Sequence, residues 1–367
     1  MLVDVLSATS GGGASRAREL ARTLPILGPQ HAYLFVAQRA TAEAIDRLAP
    51  TTLTARPRDG LNRPLRLAWE HTFLPQRLGR SFRPDVVFSP FNYLPTWWPD
   101  PAPRLAVLVS NLAPYSPELR RRYEGRERLR LDLLRRLSDK TLRRADRVFV
   151  LSRQAWELID PRLLEGKTEL IPMAPPTPPP ISSVRLPAEP FFLVVGDLLR
   201  YKGVEVVLDA LSLIVPRERP LVLVVGTMSD RPYVRMLERR REQLGLGERV
   251  RFLGAAPHEE VLALLRDSMA CLMPSRFENQ SRVPVEAFAL DCPVVASDIP
   301  AFREAADHAA SFFALDRPEE LAEHMRRLIA DPGLRERHVQ RGRRLLVSLD
   351  PGSASQRILT GLEALAG

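Results

Sequence analysis

Phe191-Phe192-Leu193-Val194-Val195-Gly196-Asp197-Leu198-Leu199-Arg200-Tyr201-Lys202-Gly203 opens with an unbroken apolar run, turns at a glycine, and leads into apolar residues at helical spacing over Val204–Ile214. A strand that is apolar at every position, rather than at alternate ones, is buried on both faces. The same unit recurs downstream. Short apolar runs at Leu221–Val225, Val250–Leu253, Ala270–Met273, Pro293–Ala296 and Ser311–Leu315 alternate with amphipathic stretches at Tyr233–Leu244, Glu259–Leu265 and Pro284–Leu290. Such alternation builds a parallel sheet covered by helices on both faces. Upstream, Leu2–Leu6, Tyr33–Val36, Asp85–Phe88, Leu105–Val109, Arg147–Leu151 and Glu169–Ile171 repeat the theme less cleanly. The expected fold class is α/β, with two Rossmann-like domains and a ligand bound in the crevice at the carboxyl ends of the strands.

Pro172 to Pro190 divides the two sets of strands. Eight of its 19 residues are proline, which excludes a helix interior or a central strand and favours an extended connector. The expected organisation is an N-terminal domain over 1–175, a linker over 172–190 and a C-terminal domain over 191–351. At 367 residues, with 45% hydrophobic and 26% charged, each half is long enough to bury its own core. No uncharged apolar run approaches the roughly 18–20 residues of a membrane-spanning helix. Asp4 interrupts any basic-then-apolar leader pattern, so a cytoplasmic location is expected. Cys271 and Cys292 are too few for a disulfide framework or a zinc cluster and read as small buried thiols.

The net charge of +9 is unevenly placed. Glu118 to Arg147 holds 12 basic and 6 acidic residues, with Leu129, Leu133, Leu134, Leu137 and Leu142 at mostly helical spacing. This segment reads either as a basic amphipathic helix for an anionic membrane surface or as a surface helix with a solvated arginine face. A nucleic-acid groove lacks support, because no aromatic interleaving or recognisable nucleic-acid motif accompanies the charge. Only Lys140, Lys167 and Lys202 among the 53 basic residues are lysines, so each draws notice.

Three constellations carry candidate chemistry. Ser10-Gly11-Gly12-Gly13, before a helical pattern from Ala14 to Leu24, is a glycine turn at a helix start, where free amides and the helix dipole favour an anion. It fails as a dinucleotide fingerprint, since Arg16 stands where a third glycine belongs. In the second, Gly196 lets a ligand pass close to a strand end, while Lys202 places a point cation suited to a pyrophosphate leaving group. The third is Glu278 and Glu286, separated by seven intervening residues. Pro284 can occupy a first helical turn, which puts Glu286 early in that helix and Glu278 in the loop before it. A carboxylate at Glu286 can accept two ribose hydroxyls, and the amides of Asn279, Gln280, Ser281 and Arg282 can face a phosphate or sugar. The six histidines show no metal or triad spacing and read as structural. The aromatic loop Phe88–Trp98 reads as a sugar-stacking or lipid-contacting surface or as plain packing.

The run Pro274–Glu304 resembles the E-x7-E signature of retaining glycosyltransferase family 4, the GT-B enzymes of glycosyl transferases group 1. Gly196–Gly203 is similar to that family's donor loop, and the Gly11–Gly13 turn, Ala145–Ser152 and the proline-rich connector stand where the family has counterparts. The resemblance implies a GT-B fold, two Rossmann-like domains whose parallel sheets face a central cleft, with a final helix (352–367) returning to the first domain. It implies a nucleotide sugar as donor substrate, no metal or other cofactor, and a glycan or lipid-linked acceptor of cell-surface polysaccharide synthesis. Residue by residue, Glu286 would hold the ribose, Lys202 the diphosphate, and Glu278 with Asn279, Gln280 and Ser281 would lie by the donor sugar. Gly12 and Gly13 would face donor and acceptor from the first domain. Three departures stand out. Asp197 replaces a family arginine, leaving Arg200 as the candidate second cation. Asn279-Gln280-Ser281 replace glycines. Asn111 stands where many relatives have a histidine, and an amide can orient a hydroxyl but cannot act as a base. Two alternatives stay open: a GT-B nucleotide-sugar epimerase, which a histidine and acids arranged for proton chemistry would favour and against which Asn111 argues, and a non-catalytic partner or scaffold, suggested by Asp197 and the missing histidine.

Overall fold

A computed structural model describes every residue except 9–10, 51, 57–62, 172, 175–185 and 350–353. The chain divides into two compact units, Met1–Pro172 with Gly352–Gly367, and Met173–Pro351. Most of the proline-rich linker lies outside the described residues.

The first unit is a parallel sheet of β1 (Leu2–Asp4), β2 (Leu34–Val36), β3 (Leu53–Ala55), β4 (Val86–Ser89), β5 (Arg104–Val109), β6 (Arg147–Val150) and β7 (Thr168–Leu170), in spatial order 3-2-1-4-5-6-7. Its helices are α1 (Gly11–Leu27), α2 (Arg39–Leu48), α3 (Arg63–Ser81), α4 (Pro117–Arg122), α5 (Gly125–Arg144) and α6 (Gln154–Leu158). The glycine turn expected at 10–13 is corrected here: the helix already begins at Gly11, so Gly12 and Gly13 lie in its first turn, and Ser10 lies outside the described residues. The basic segment is two helices rather than one. Tyr123 and Glu124 leave the helical conformation, and Gly125 takes a φ of +53°. Most of the aromatic loop packs inward: Phe88, Tyr93 and Trp98 are buried, and Trp97 stays exposed.

The second unit pairs β8 (Phe191–Val195), β9 (Leu221–Val225), β10 (Val250–Gly254), β11 (Cys271–Met273), β12 (Val294–Ser297) and β13 (Ser311–Phe313) in the order 10-9-8-11-12-13, again all parallel. Helices α7 (Val204–Ser212), α8 (Arg231–Gln243), α9 (His258–Asp267), α10 (Val283–Ala289), α11 (Pro300–Ala306), α12 (Pro318–Ala330) and α13 (Pro332–Ser348) connect and cover it. Alternate residues of β8 supply two cores: Phe192 and Val194 face α7 and α12 residues on one side, while Phe191 and Leu193 join Leu262, Phe288 and Phe302 on the other. Each such side chain contributes about 1.5–3 kcal/mol by leaving water, and this is why the strand tolerates no polar residue. Cys271 and Cys292 are buried free thiols. Caps fix several helix starts, Asp230 accepting from Tyr233 N at α8 and Asp331 from Leu334 N at α13.

The last helix, α14 (Ala354–Ala366), returns to the first unit, where Ile358, Leu359 and Leu362 join the core of β1, β4 and β6. In each sheet the strand order reverses beside the first strand of the unit, between β1 and β4 and between β8 and β11. Loops leaving the carboxyl ends of such a pair diverge and open a crevice for a ligand.

Candidate functional site

In the second unit the two loops at that reversal are Gly196–Gly203, after β8, and Pro274–Arg282, after β11. They carry the residues singled out in the sequence. A short 3-10 turn over Arg200–Lys202 delivers Lys202 to the start of α7. Its Nζ donates to Glu278 Oε1 at 2.6 Å, and Ser275 Oγ donates to the same oxygen at 2.8 Å. The aliphatic stem of Lys202 lies over Gly196, where a side-chain carbon would come within 3.3 Å of Lys202 Cε and Nζ. Gly203, at φ +62°, is fixed by a tighter approach, since a Cβ there would fall 2.2 Å from the Pro274 carbonyl oxygen. Between the loops remains a cavity of about 10 Å³ bordered by Gly196, Lys202 and Ser275, too small for more than a single water.

Lys202 and Glu278 are both largely withdrawn from solvent, with side chains 19% and 12% exposed. Burial opposes the lysine charge, but Glu278, with smaller help from Tyr201 and Asp197, outweighs it and holds the ammonium above the ordinary lysine range.

A second strut ties the loops together. The Arg276 Nη2 donates to Glu205 Oε1 at 2.8 Å, the Tyr233 hydroxyl donates to Glu205 Oε2, and that hydroxyl accepts from Val204 N at 2.9 Å. Arg276 N also donates to Tyr201 O at 2.7 Å, and Ser297 Oγ to the Ser275 carbonyl. Arg276 and Glu205 are mostly buried, so this pair sits where charge interactions are weakly screened. Burial, then Glu205, drives the Tyr233 phenol far above its ordinary range. Nothing in the isolated sequence marks Ser275, Arg276, Glu205 or Tyr233. The adjacency of β8 and β11 assembles them.

Glu286 lies in the first turn of α10, with Pro284 one turn position before Val285 as expected. Its side chain is 13% exposed, His258 Nε2 is 3.8 Å from Oε1 and Arg282 Nε is 4.0 Å away. Neither is within hydrogen-bond distance. Burial raises the carboxyl above its usual range, against the opposing pull of His258 and Arg282. It is thus a carboxylate set into the fold with its strongest acceptor capacity unspent on these two cations. In the same loop, Asn279 and Gln280 are half-buried and Ser281 is buried.

Two residues of the donor-loop pattern are engaged elsewhere. Asp197 accepts from Thr227 Oγ1 at 2.7 Å, joining the loop after β8 to that after β9. Arg200, more than half-exposed, has its Nε 3.6 Å from Asp230, the α8 cap. Arg200, the candidate second cation beside Lys202, rests by the α8 cap through this weak pair, whose arginine side is open to solvent. In the first unit, a side-chain carbon at Gly13 would meet Phe91 at 3.3 Å. Asn111 is exposed; its Oδ1 accepts from Ala113 N at 2.9 Å, and its backbone is clasped by the Asn92 amide through bonds of 2.8 and 2.6 Å. Among the described residues no group of three or more His, Cys, Asp or Glu is placed to hold a metal ion.

Two doubly wound parallel-sheet units, with the last helix packed back on the first, define a GT-B fold. Residues 182–345 match the profile of the family described as glycosyl transferases group 1. The D-inositol 3-phosphate glycosyltransferase of Corynebacterium urealyticum is 34% identical over 146 residues, 37% of this chain and 34% of that protein. The alpha-D-kanosaminyltransferase of Streptomyces kanamyceticus is 29% identical over 40% of this chain and 38% of its own. The chain thus spans little more than a third of the length of these curated relatives. Among solved structures, the sucrose-phosphate synthase of Thermosynechococcus elongatus superposes with a TM-score of 0.77 at 20% identity, covering 99% of this chain and 98% of the other.

Proposed function

We propose that this chain is a retaining glycosyltransferase that moves a sugar from a nucleotide-sugar donor to a glycan or lipid-linked acceptor, at the cytoplasmic face of the membrane, in cell-surface polysaccharide synthesis. The observation that carries the proposal is the Lys202–Glu278 pair at the strand-order reversal of the second unit, with Glu286 set into the adjoining helix α10. A solved GT-B neighbour, Anabaena HepE, was crystallised with UDP-glucose; it has a TM-score of 0.73 at 18% identity, over 99% of each chain.

The proposed chemistry follows from the side chains. Lys202 exchanges Glu278 for the donor diphosphate and neutralises the charge that grows as the bond from sugar to phosphate breaks. Glu278, freed of the ammonium, accepts hydroxyls of the donor sugar, while Ser275 keeps its carboxylate in place. Glu286 accepts the two ribose hydroxyls. Backbone amides of Asn279, Gln280 and Ser281 contact the sugar or phosphate, and Gly196 lets the donor approach the strand end. From the first unit, Gly12 and Gly13 present amides to the ligands, and Asn111 orients the acceptor hydroxyl through its Nδ2, its Oδ1 being held by Ala113 N. Arg200 reaches the diphosphate only by leaving Asp230. Lys202 supplies the positive charge, so no metal enters these steps. The acceptor oxygen attacks on the face the diphosphate leaves and passes its proton to the departing phosphate oxygen, with net retention.

The test is a thermal-shift and calorimetric screen against UDP, GDP, ADP and dTDP, followed by incubation with the matching nucleotide sugars and assignment of the product anomer by NMR. Binding of one diphosphate and a product with the donor's anomeric configuration are expected. Failure of all four to bind, or an inverted product, overturns the proposal.

A further inference from the structure

The first unit presents a surface that sugar transfer does not use. Helix α5 is held to the fold by its C-terminal half: Ser138, Thr141 and Leu142 are its buried residues, and Thr141 Oγ1 bonds the Leu94 backbone. At 3.6 residues per turn each position advances about 100° around the axis. On that wheel Arg126, Leu129, Arg130, Leu133, Arg136, Leu137, Lys140, Arg143 and Arg144 fall within a single arc of about 140°. The arc holds three leucines, six cations and no acid. Glu127, Asp132 and Asp139 all lie outside it; of the three buried residues, Ser138 and Leu142 lie well round the helix and Thr141 adjoins the edge of the arc at Arg130. The arc also faces solvent: Leu129 is 70% and Leu133 49% exposed, and all six cations are exposed. Among the described residues only Arg130 of the six has an ion pair within 4 Å, with Glu127 at 3.4 Å across exposed side chains, a pair of little energetic weight; Arg143 acts on Asp160 from farther off.

Segregation of this kind is chemically specific. A solvated surface helix interleaves both signs of charge, whereas here every acid is excluded from one face and exposed leucines occupy its centre. Leucines flanked by arginines and lysine match a plane of anionic headgroups over acyl chains, the cations taking the phosphates and the leucines entering the boundary. No described helix is long and apolar enough to cross a membrane. We infer that the α5 face from Arg126 to Arg144 docks the protein flat on an anionic lipid surface. This extends the membrane-face part of the proposed function but rests on surface chemistry alone, so it fails or stands independently of sugar transfer.

Co-sedimentation of the intact protein with phosphatidylcholine vesicles containing about one third phosphatidylglycerol tests the inference. Retention is expected at low salt, with loss on pure phosphatidylcholine and at about 0.5 M salt. Each cation near such a surface is worth about fivefold in partition, so Arg126→Gln with Arg136→Gln should weaken retention about 25-fold. Leu129→Ser with Leu133→Ser should also release the protein, with its charge unchanged. Equal binding to neutral vesicles, no binding at low salt, or unaltered binding of the arginine variant overturns the inference. So does retention that survives the serine variant, or single-stranded RNA that outcompetes the vesicles, because either marks a polyanion groove that uses charge alone.

Discussion

Lys202 Nζ and Glu278 Oε1 lie 2.6 Å apart although 76 positions separate them in the chain, and Ser275 Oγ donates to the same carboxylate oxygen. The pair therefore holds two charges in readiness at the end of β8 at the cost of their hydration. Replacing Lys202 with methionine leaves Glu278 one donor and removes the cation from the proposed diphosphate position. Transfer should fall by at least about 100-fold, the scale of losing one preorganised charge-stabilising donor. Stability should fall by about 3 kcal/mol, the low end of the cost of removing one partner from a largely buried pair, because Ser275 still donates to Glu278. Turnover and urea denaturation measured on the same preparation separate the two effects. Wild-type turnover in Lys202→Met would remove the lysine from the mechanism.

Glu286 supplies a pH signature. Its carboxyl is raised above the ordinary value of 4.5 by burial, with His258 and Arg282 opposing. Between 4.5 and the raised value the folded state holds a proton that the unfolded state has lost, so stability declines as pH climbs through that window. Ribose hydroxyls donate to the ionised form, so nucleoside diphosphate affinity should climb over the same window. Calorimetry across it should show affinity rising with pH in the wild type and a flat profile in Glu286→Gln. An identical slope in both proteins would assign the titration to another group.

Arg276 acts on the site through other residues. Its guanidinium bonds Glu205 at 2.8 Å while its backbone N bonds Tyr201 O, so it fastens the loop after β11 to the turn that carries Lys202. Breaking a largely buried pair by removing one partner costs about 3–5 kcal/mol, and Tyr233 remaining on Glu205 places Arg276→Met at the low end. Arg276→Lys should recover part of the stability but not the forked geometry. If Arg276 positions Lys202, KM for the donor should rise in Arg276→Met more than kcat falls, with partial rescue in Arg276→Lys. A variant that melts earlier but keeps its donor KM would restrict Arg276 to scaffolding.

The strands of the second unit were legible because burial on both faces leaves no room for polar residues. Phe191–Val195 and Leu221–Val225 were delimited to the residue. Where burial is one-sided or slight, the signal faded. β3 is a three-residue edge strand whose Leu53 is 59% exposed, so no apolar run announces it. α13 buries only His338 and Gly342 among its 17 residues and looks like any charged surface. The helix start at Gly11 was misplaced because glycine runs carry turn propensity, and tertiary contact decides otherwise. At the site, residue types pointed to Lys202, Glu278 and Glu286. The Arg276–Glu205–Tyr233 strut stayed invisible because each member has an ordinary surface alternative, and only the parallel placement of β8 beside β11 makes them neighbours.

Two histidines, His338 buried and His71 half-buried, make the fold sensitive to mild acid. His338 is 3% exposed, has its Nε2 3.3 Å from Ser311 Oγ, and is held below the ordinary value of 6.5 first by burial and then by Arg341. His71, stacked on Tyr93 at 6.4 Å, is lowered by burial and by Lys140. As pH falls below 6.5 the unfolded chain protonates both rings while the folded units resist, so the unfolded state binds more protons and stability is lost toward acid. It is fully present above 6.5. The loss approaches about 1.4 kcal/mol per pH unit for each histidine. Denaturant midpoints on either side of 6.5 should differ in the wild type, and His71→Gln or His338→Gln should each flatten the dependence by about half. An unchanged slope in both variants would place the acid sensitivity among the carboxylates instead.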